Sequence, residues 1–118
     1  MFNLLVSGGR DFNNYKLLKD KLDYYLSQKS KEDVVILSGH AKGADTLAEY
    51  YANEQGIKIK IFPANWDEYG KSAGFIRNAE MINKADALIA FWDGKSKGTK
   101  HAIDLARKKN IRVVIVNY

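Results

Sequence analysis

Three short segments of this 118-residue chain concentrate the residue types that hold anions. They read Ser7-Gly8-Gly9-Arg10-Asp11-Phe12, Ser38-Gly39-His40-Ala41-Lys42-Gly43-Ala44-Asp45 and Trp92-Asp93-Gly94-Lys95-Ser96-Lys97-Gly98-Thr99. Glycine lets a backbone approach a phosphate closely and reach positive φ. N–H groups at a helix start, reinforced by the helix dipole, favour an anion. Gly39 and Gly43 precede one segment of helical periodicity, and Gly94 and Gly98 precede another. Ser38, Ser96 and Thr99 would add hydroxyl donors. Any one such loop is also what a tight strand-to-helix turn requires, so the weight lies in the convergence of three.

Single residues within these loops carry two readings each. Arg10 offers forked donors to a phosphate, or pairs with Asp11 to pin the loop. Asp45, in the first turn of a helix, accepts from a ribose hydroxyl or complements the helix dipole. A fourth segment, residues 63–81, reads PANWDEYGKSAGFIRNAEM. Its Arg77 and Asn78 come early on a helix after Gly70 and Gly74, so Arg77 is a candidate phosphate contact, with a plain surface arginine as the alternative. Trp66 and Tyr69 are rings that could stack on a base or cover a site; for Trp66, packing beneath the loop is the expected arrangement. The candidate ligand-binding set is Gly8, Gly9, Arg10, Asp11, Ser38, Gly39, Lys42, Gly43, Asp45, Arg77, Asn78, Asp93, Gly94, Ser96, Gly98 and Thr99.

Other chemistry is disfavoured. Gly39-x-x-x-Gly43 is not followed by Lys-Ser/Thr, and Gly8-Gly9 lacks the three spaced glycines of the dinucleotide fingerprint, which argues against an ordinary P-loop NTPase or NAD dehydrogenase. Without cysteine there is no disulfide framework, thiolate nucleophile or Cys-ligated zinc. His40 and His101 are the only histidines, and neither has a carboxylate at metal-ligand spacing, so no metal site is expected. Either could serve as a base, but no nucleophile–base–orienter set stands out. The net charge of +5 favours anionic partners. Lys16, Lys19 and Lys21 read as a solvated helix face, whereas Lys95, Lys97 and Lys100 surround the third glycine loop. Without a recognition helix or basic stripe, the chain does not read as a nucleic-acid binder. The apolar N-terminal run is too short for a signal peptide or membrane span, so a cytoplasmic protein is expected.

The elements that position these loops follow from periodicity. Strands are predicted over residues 3–6, 34–37, 57–62, 87–91 and 112–116. Helices run from about Leu17 to Leu26, Ala44 to Ala52 with Gly56 closing it, Ala73 to Asn83, and Thr99 to Lys109 closed by Asn110; residues 64–72 read as a loop. Strands alternating with helices predict an α/β fold: a Rossmann-like three-layer sandwich on a mostly parallel five-stranded sheet, with residues 1–118 as one domain. In such sheets, ligands bind beyond the carboxyl ends of the strands.

The motifs SGGRDF, SGHAKGAD, PANWDEYGKSAGFIRNAEM and AFWDGKSKGTKHAIDLA, in that order over nearly the whole chain, resemble the YspA-like branch of the SLOG superfamily, found in bacteria and their phages. The resemblance implies a Rossmann-like fold, pairing into homodimers, and binding of a nucleotide or nucleotide-derived ligand, NAD- or ADP-ribose-related compounds among them. LOG-type phosphoribohydrolases of the wider superfamily carry an arginine and methionine on one helix, matched here by Arg77 and Met81. They also carry a GGxGTxxE turn, to which Lys97-Gly98-Thr99-Lys100-His101-Ala102 is similar; Ala102 stands in place of the catalytic glutamate, which undermines N-glycosidic hydrolysis of that kind. The leading expectation is a module that binds or senses a nucleotide derivative. The alternative is a hydrolase of an N-glycosidic or phosphoanhydride bond, with Asp11, Asp45, Asp93 and His101 as acid–base candidates. Nucleic-acid binding, suggested by the charge and the DNA-processing relatives, ranks third.

Overall fold

A computed structural model describes residues 1–118. Its elements are β1 (Phe2–Gly8), α1 (Tyr15–Tyr25), β2 (Val34–Ser38), α2 (Ala44–Gln55), β3 (Lys58–Ile61), α3 (Trp66–Tyr69), α4 (Ala73–Lys84), β4 (Ala87–Trp92), α5 (Lys97–Lys108) and β5 (Arg112–Asn117). Every strand pairing is parallel, in the order β3-β2-β1-β4-β5. Strand order therefore reverses between β1 and β4, and the switch-point crevice opens at their carboxyl ends.

Side-chain alternation explains the layers. On β1 and β4, Leu4, Val6, Ala87, Ile89 and Phe91 point to one face, where they meet Leu18 and Leu22 of α1 and Ala44, Ala48 and Ala52 of α2. Leu5, Leu88 and Ala90 point to the other, against Met81 and Ile82 of α4 and Ala102, Ile103 and Ala106 of α5. Strands covered on both faces lose the polar alternation of a half-exposed sheet. The alanine rows on α2 and α5 let each helix lie close to the sheet. The edge strand β3 reads KIKI, and its lysines discourage further strand pairing. No helix is long and apolar enough to cross a membrane.

Several element ends shift by one to three residues from the sequence expectation, and two of the differences change how a loop reads. Residues 64–72, predicted as loop, contain α3 and a 3₁₀ turn over Gly70–Ser72. The cause is Asn65, whose side chain accepts from the Glu68 N–H at 3.1 Å and nucleates a helix too short to show periodicity. Helix α5 begins at Lys97 rather than Thr99, because Ser96 is its N-cap. Gly98 therefore lies inside the first turn rather than before it.

Candidate functional site

The loop after β1 keeps its pairing with β4 further than a plain strand end would. The Gly9 N–H donates to the Phe91 carbonyl at 3.1 Å, and the Gly9 carbonyl accepts from Phe12 and Ala44, each at 3.3 Å. The Ala44 N–H at the start of α2 is thus consumed by the protein's own backbone. A Cβ on Gly8 would stand 2.5 Å from the Ala44 Cβ and 2.6 Å from the Phe91 carbonyl oxygen, so only glycine lets α2 seat against the strand end. Arg10 is exposed at the rim of the loop. The alternative of an Arg10–Asp11 pin does not form: Asp11 accepts instead from the Tyr118 hydroxyl. Burial and Asp11 together raise the Tyr118 pKa, so that hydroxyl stays protonated and holds the C-terminal residue over Gly9.

The loop after β2 is built around two carboxylates four residues apart on α2. Asp45 is only 5 % exposed and accepts from the Ala41 N–H at 3.2 Å. Burial pushes its pKa up to about 6, against the opposing pull of the Ala41 N–H and the nearby Arg77 charge. Glu49 receives the Ser38 hydroxyl at 2.8 Å and lies 2.9 Å from Nδ1 of His40. Ser38, counted in the sequence as a donor to ligand, is fully buried and spends its hydroxyl on Glu49 while accepting from the His40 N–H. It does not face the crevice. His40 holds φ +59, which a non-glycine residue adopts only when its surroundings impose it, here through Ser38 and Glu49.

Helix α4 supplies the cation between these loops. Arg77 Nη1 donates to the Gly39 carbonyl at 2.9 Å, and its Nε reaches Asn78 Oδ1 at 3.4 Å. The ion pairs of the chain are Lys16–Asp20, Lys19–Asp23, His40–Glu49 and Lys100–Asp104. None neutralises Arg77, Arg10 or Lys42. Burial lowers the Arg77 pKa, partly offset by Asp45. Asn78, buried, donates to the Gly98 carbonyl at 3.2 Å and lies 3.3 Å from His101 Nδ1, tying α4 to the first turn of α5. In the loop after β4, Asp93 Oδ1 accepts from the Lys95 and Ser96 N–H groups at 2.8 and 2.9 Å. Those two donors lower its pKa and keep it ionised.

Together these residues surround a polar cleft of about 400 Å³ at the β1/β4 switch point. It collects Gly8, Gly9, Arg10, Asp11, Asp45, Arg77, Asn78, Asp93, Ser96, Gly98 and Thr99 from the sequence set. Gly39 and Lys42 line an adjoining depression instead. Gly43 packs beneath the Gly9–Arg10 backbone, and Gly94 sits exposed at a turn tip. Sequence reasoning overlooked Ser7 and Ala41, which also line the cleft, and Glu49, which orients His40. The four-residue step from Asp45 was the available signal for Glu49, since it puts both on one helix face. Trp66, expected beneath its loop, is 51 % exposed because it opens α3 on the outer side. His101 turns toward Phe75 and Asn78, away from the cleft, and burial lowers its pKa.

The Asp45 carboxyl makes a pH dependence testable. Its pKa of about 6 lies above the ordinary 3.8, so the stability tied to its protonated form is complete below about pH 4 and lost as pH rises through 6. Asp45→Asn should gain about 2–3 kcal/mol on the parent chain between pH 4 and 7 in urea unfolding. Parallel pH profiles for the two proteins would refute this.

A family model described as YspA, cpYpsA-related SLOG matches residues 2–69. The Gene 61 protein of Mycobacterium phage D29 is 33 % identical over 120 residues, spanning 97 % of this chain and 95 % of that protein. The X-ray structure of DNA processing protein A from Streptococcus pneumoniae superposes on 98 % of this chain with a TM-score of 0.76 at 21 % identity. This chain spans 50 % of that one. The X-ray structure of TM1055 matches with a TM-score of 0.70 at 19 % identity, over 96 % of this chain and 72 % of that one. The two structural likenesses show the shared Rossmann-like fold.

Proposed function

The chain belongs to the YspA, cpYpsA-related SLOG family, and from that premise we propose that its cleft binds a nucleotide or nucleotide-derived ligand as a sensing or sequestering module. One observation carries the reading: Arg10 and Arg77, with no acidic partner within ion-pair distance, meet the glycine loops at the point where strand order reverses. Arg77 is half-buried, and a guanidinium in that setting without an acidic partner is costly unless an anion reaches it. Forked donors suit phosphate oxygens. Carboxylates within the same cleft suit the hydroxyls of a ribose.

The reading is tested by thermal unfolding with nucleotides and NAD-related compounds. A ligand at 100 times its Kd adds about 2.7 kcal/mol, a rise in Tm of roughly 10 °C for a chain of this size. An unchanged Tm across AMP, ADP, ATP, NAD and ADP-ribose would sink the proposal.

A second reading, hydrolysis of a phosphoanhydride or N-glycosidic bond, draws on Asp45, a buried carboxyl whose pKa burial raises to about 6, near the Arg77 charge. Ala102 gives no support to a LOG-like reaction: it is fully buried against the sheet and presents no acid. Product chromatography after long incubation separates the two readings, and intact nucleotide at high protein concentration excludes the hydrolase. The DNA-processing neighbour shares the fold at an identity too low to bring a DNA site with it.

A further inference from the structure

The polar cleft does not end at its own rim. A second depression of about 330 Å³ adjoins it, and the two share Arg10, Ala41 and Arg77 as a common border. Their chemistry differs. The inner cleft holds three carboxylates, Asp11, Asp45 and Asp93, whereas the outer depression holds none. Its charged lining is Arg10, Lys42 and Arg77, and its apolar wall is Pro63, Ala64 and the exposed Trp66.

Trp66 lies close to the border cation. A methyl group added at Gly74 would stand 3.5 Å from the Trp66 ring and 3.6 Å from Arg77 Nη2, so the indole edge and the guanidinium head flank one gap that the bare glycine leaves open. An uncovered indole next to unpaired cations matches an aromatic ring joined to an anionic chain. Stacking requires no base-specific contact, because every nucleobase presents a π face.

We propose that the outer depression is a nucleobase subsite, in which a nucleoside diphosphate stacks its base on Trp66 and lays its phosphates across the Arg10–Arg77 border. Any group beyond the phosphates then lies in the inner cleft, where the carboxylates accept hydroxyl donors. This assignment rests on the nucleotide-binding reading and adds the direction of the ligand to it.

The test measures ADP and inorganic pyrophosphate by calorimetry on the parent chain and on Trp66→Leu. The exposed side chain makes that substitution tolerable to the fold. ADP should also quench the tryptophan emission of the parent, with Trp92, held through Nε1 to the Ser96 carbonyl, contributing a background that the Trp66→Leu protein measures. Trp66→Leu should weaken ADP about tenfold or more and leave pyrophosphate unchanged. Equal ADP affinity in both proteins would overturn the subsite while the nucleotide-binding reading stands. ADP binding no tighter than pyrophosphate in the parent would overturn it as well. If the parent binds no nucleotide at all, both proposals fall. Loss of ADP and pyrophosphate together in Trp66→Leu would show a general disturbance of the site and also refute a base-specific role.

Discussion

Gly43→Ala should destabilise the fold by at least about 4 kcal/mol, in the range reserved for severe single substitutions. Two costs add. Gly43 sits at φ +83 and ψ −125, a conformation closed to residues with a Cβ. An alanine Cβ would also stand 2.2 Å from the Gly9 carbonyl oxygen and 2.8 Å from the Arg10 carbonyl carbon. Those are main-chain atoms, and the Gly9 carbonyl is held by Phe12 and Ala44, so neither can swing aside as a side chain would. Gly94 provides the control: it has the same φ of +83 but open space around it, so Gly94→Ala should cost only about 1–2 kcal/mol. Urea midpoints measure both. Equal losses in the two variants would mean that backbone angle alone matters and that the β1 loop does not rest on the β2 loop.

That contact explains what the sequence could and could not reveal. The strands were legible because β1 and β2 are short apolar runs closed by serine and glycine and β4 is one closed by the Asp93-Gly94 turn, and the helices because their apolar spacing matches one covered face. The glycine loops were legible as a group, since polar and glycine residues collect after three strands. Their separate jobs were not. Gly43 and Gly8 look like ligand-cradling residues in sequence, yet each has a packing role that depends on a neighbour more than thirty residues away. Ser38 looked like a hydroxyl donor to ligand, but Glu49 claims it across α2. Pairing with Arg10 was one of two readings for Asp11, but its partner is Tyr118 at the far end of the chain. Local spacing identifies which loops matter; only the tertiary arrangement decides which of their atoms are already spent.

Arg77→Ala should lower nucleotide affinity by about 100-fold, the worth of one or two charge-assisted hydrogen bonds in a partly buried site. Arg77 borders both depressions, has no acidic partner within 4 Å, and is fixed by Nη1 on the Gly39 carbonyl, which leaves other guanidinium N–H groups for a ligand. Arg77→Lys should recover only a small part, because an ammonium cannot hold the Gly39 carbonyl and offer a fork to phosphate at once. The effect on stability should be small, about 1–2 kcal/mol for the Gly39 bond. Calorimetry on the folded variants therefore separates binding from folding. The neighbouring carboxyl adds a pH signature. With Asp45 titrating near pH 6, protonation removes a negative charge from the cleft, so an anionic ligand of unchanging charge should bind more tightly below pH 6 than above it. Asp45→Asn should flatten that dependence. An Arg77→Ala protein that binds within threefold of the parent would remove the arginine from the site and, with it, the reason for placing phosphate at the border between the two depressions.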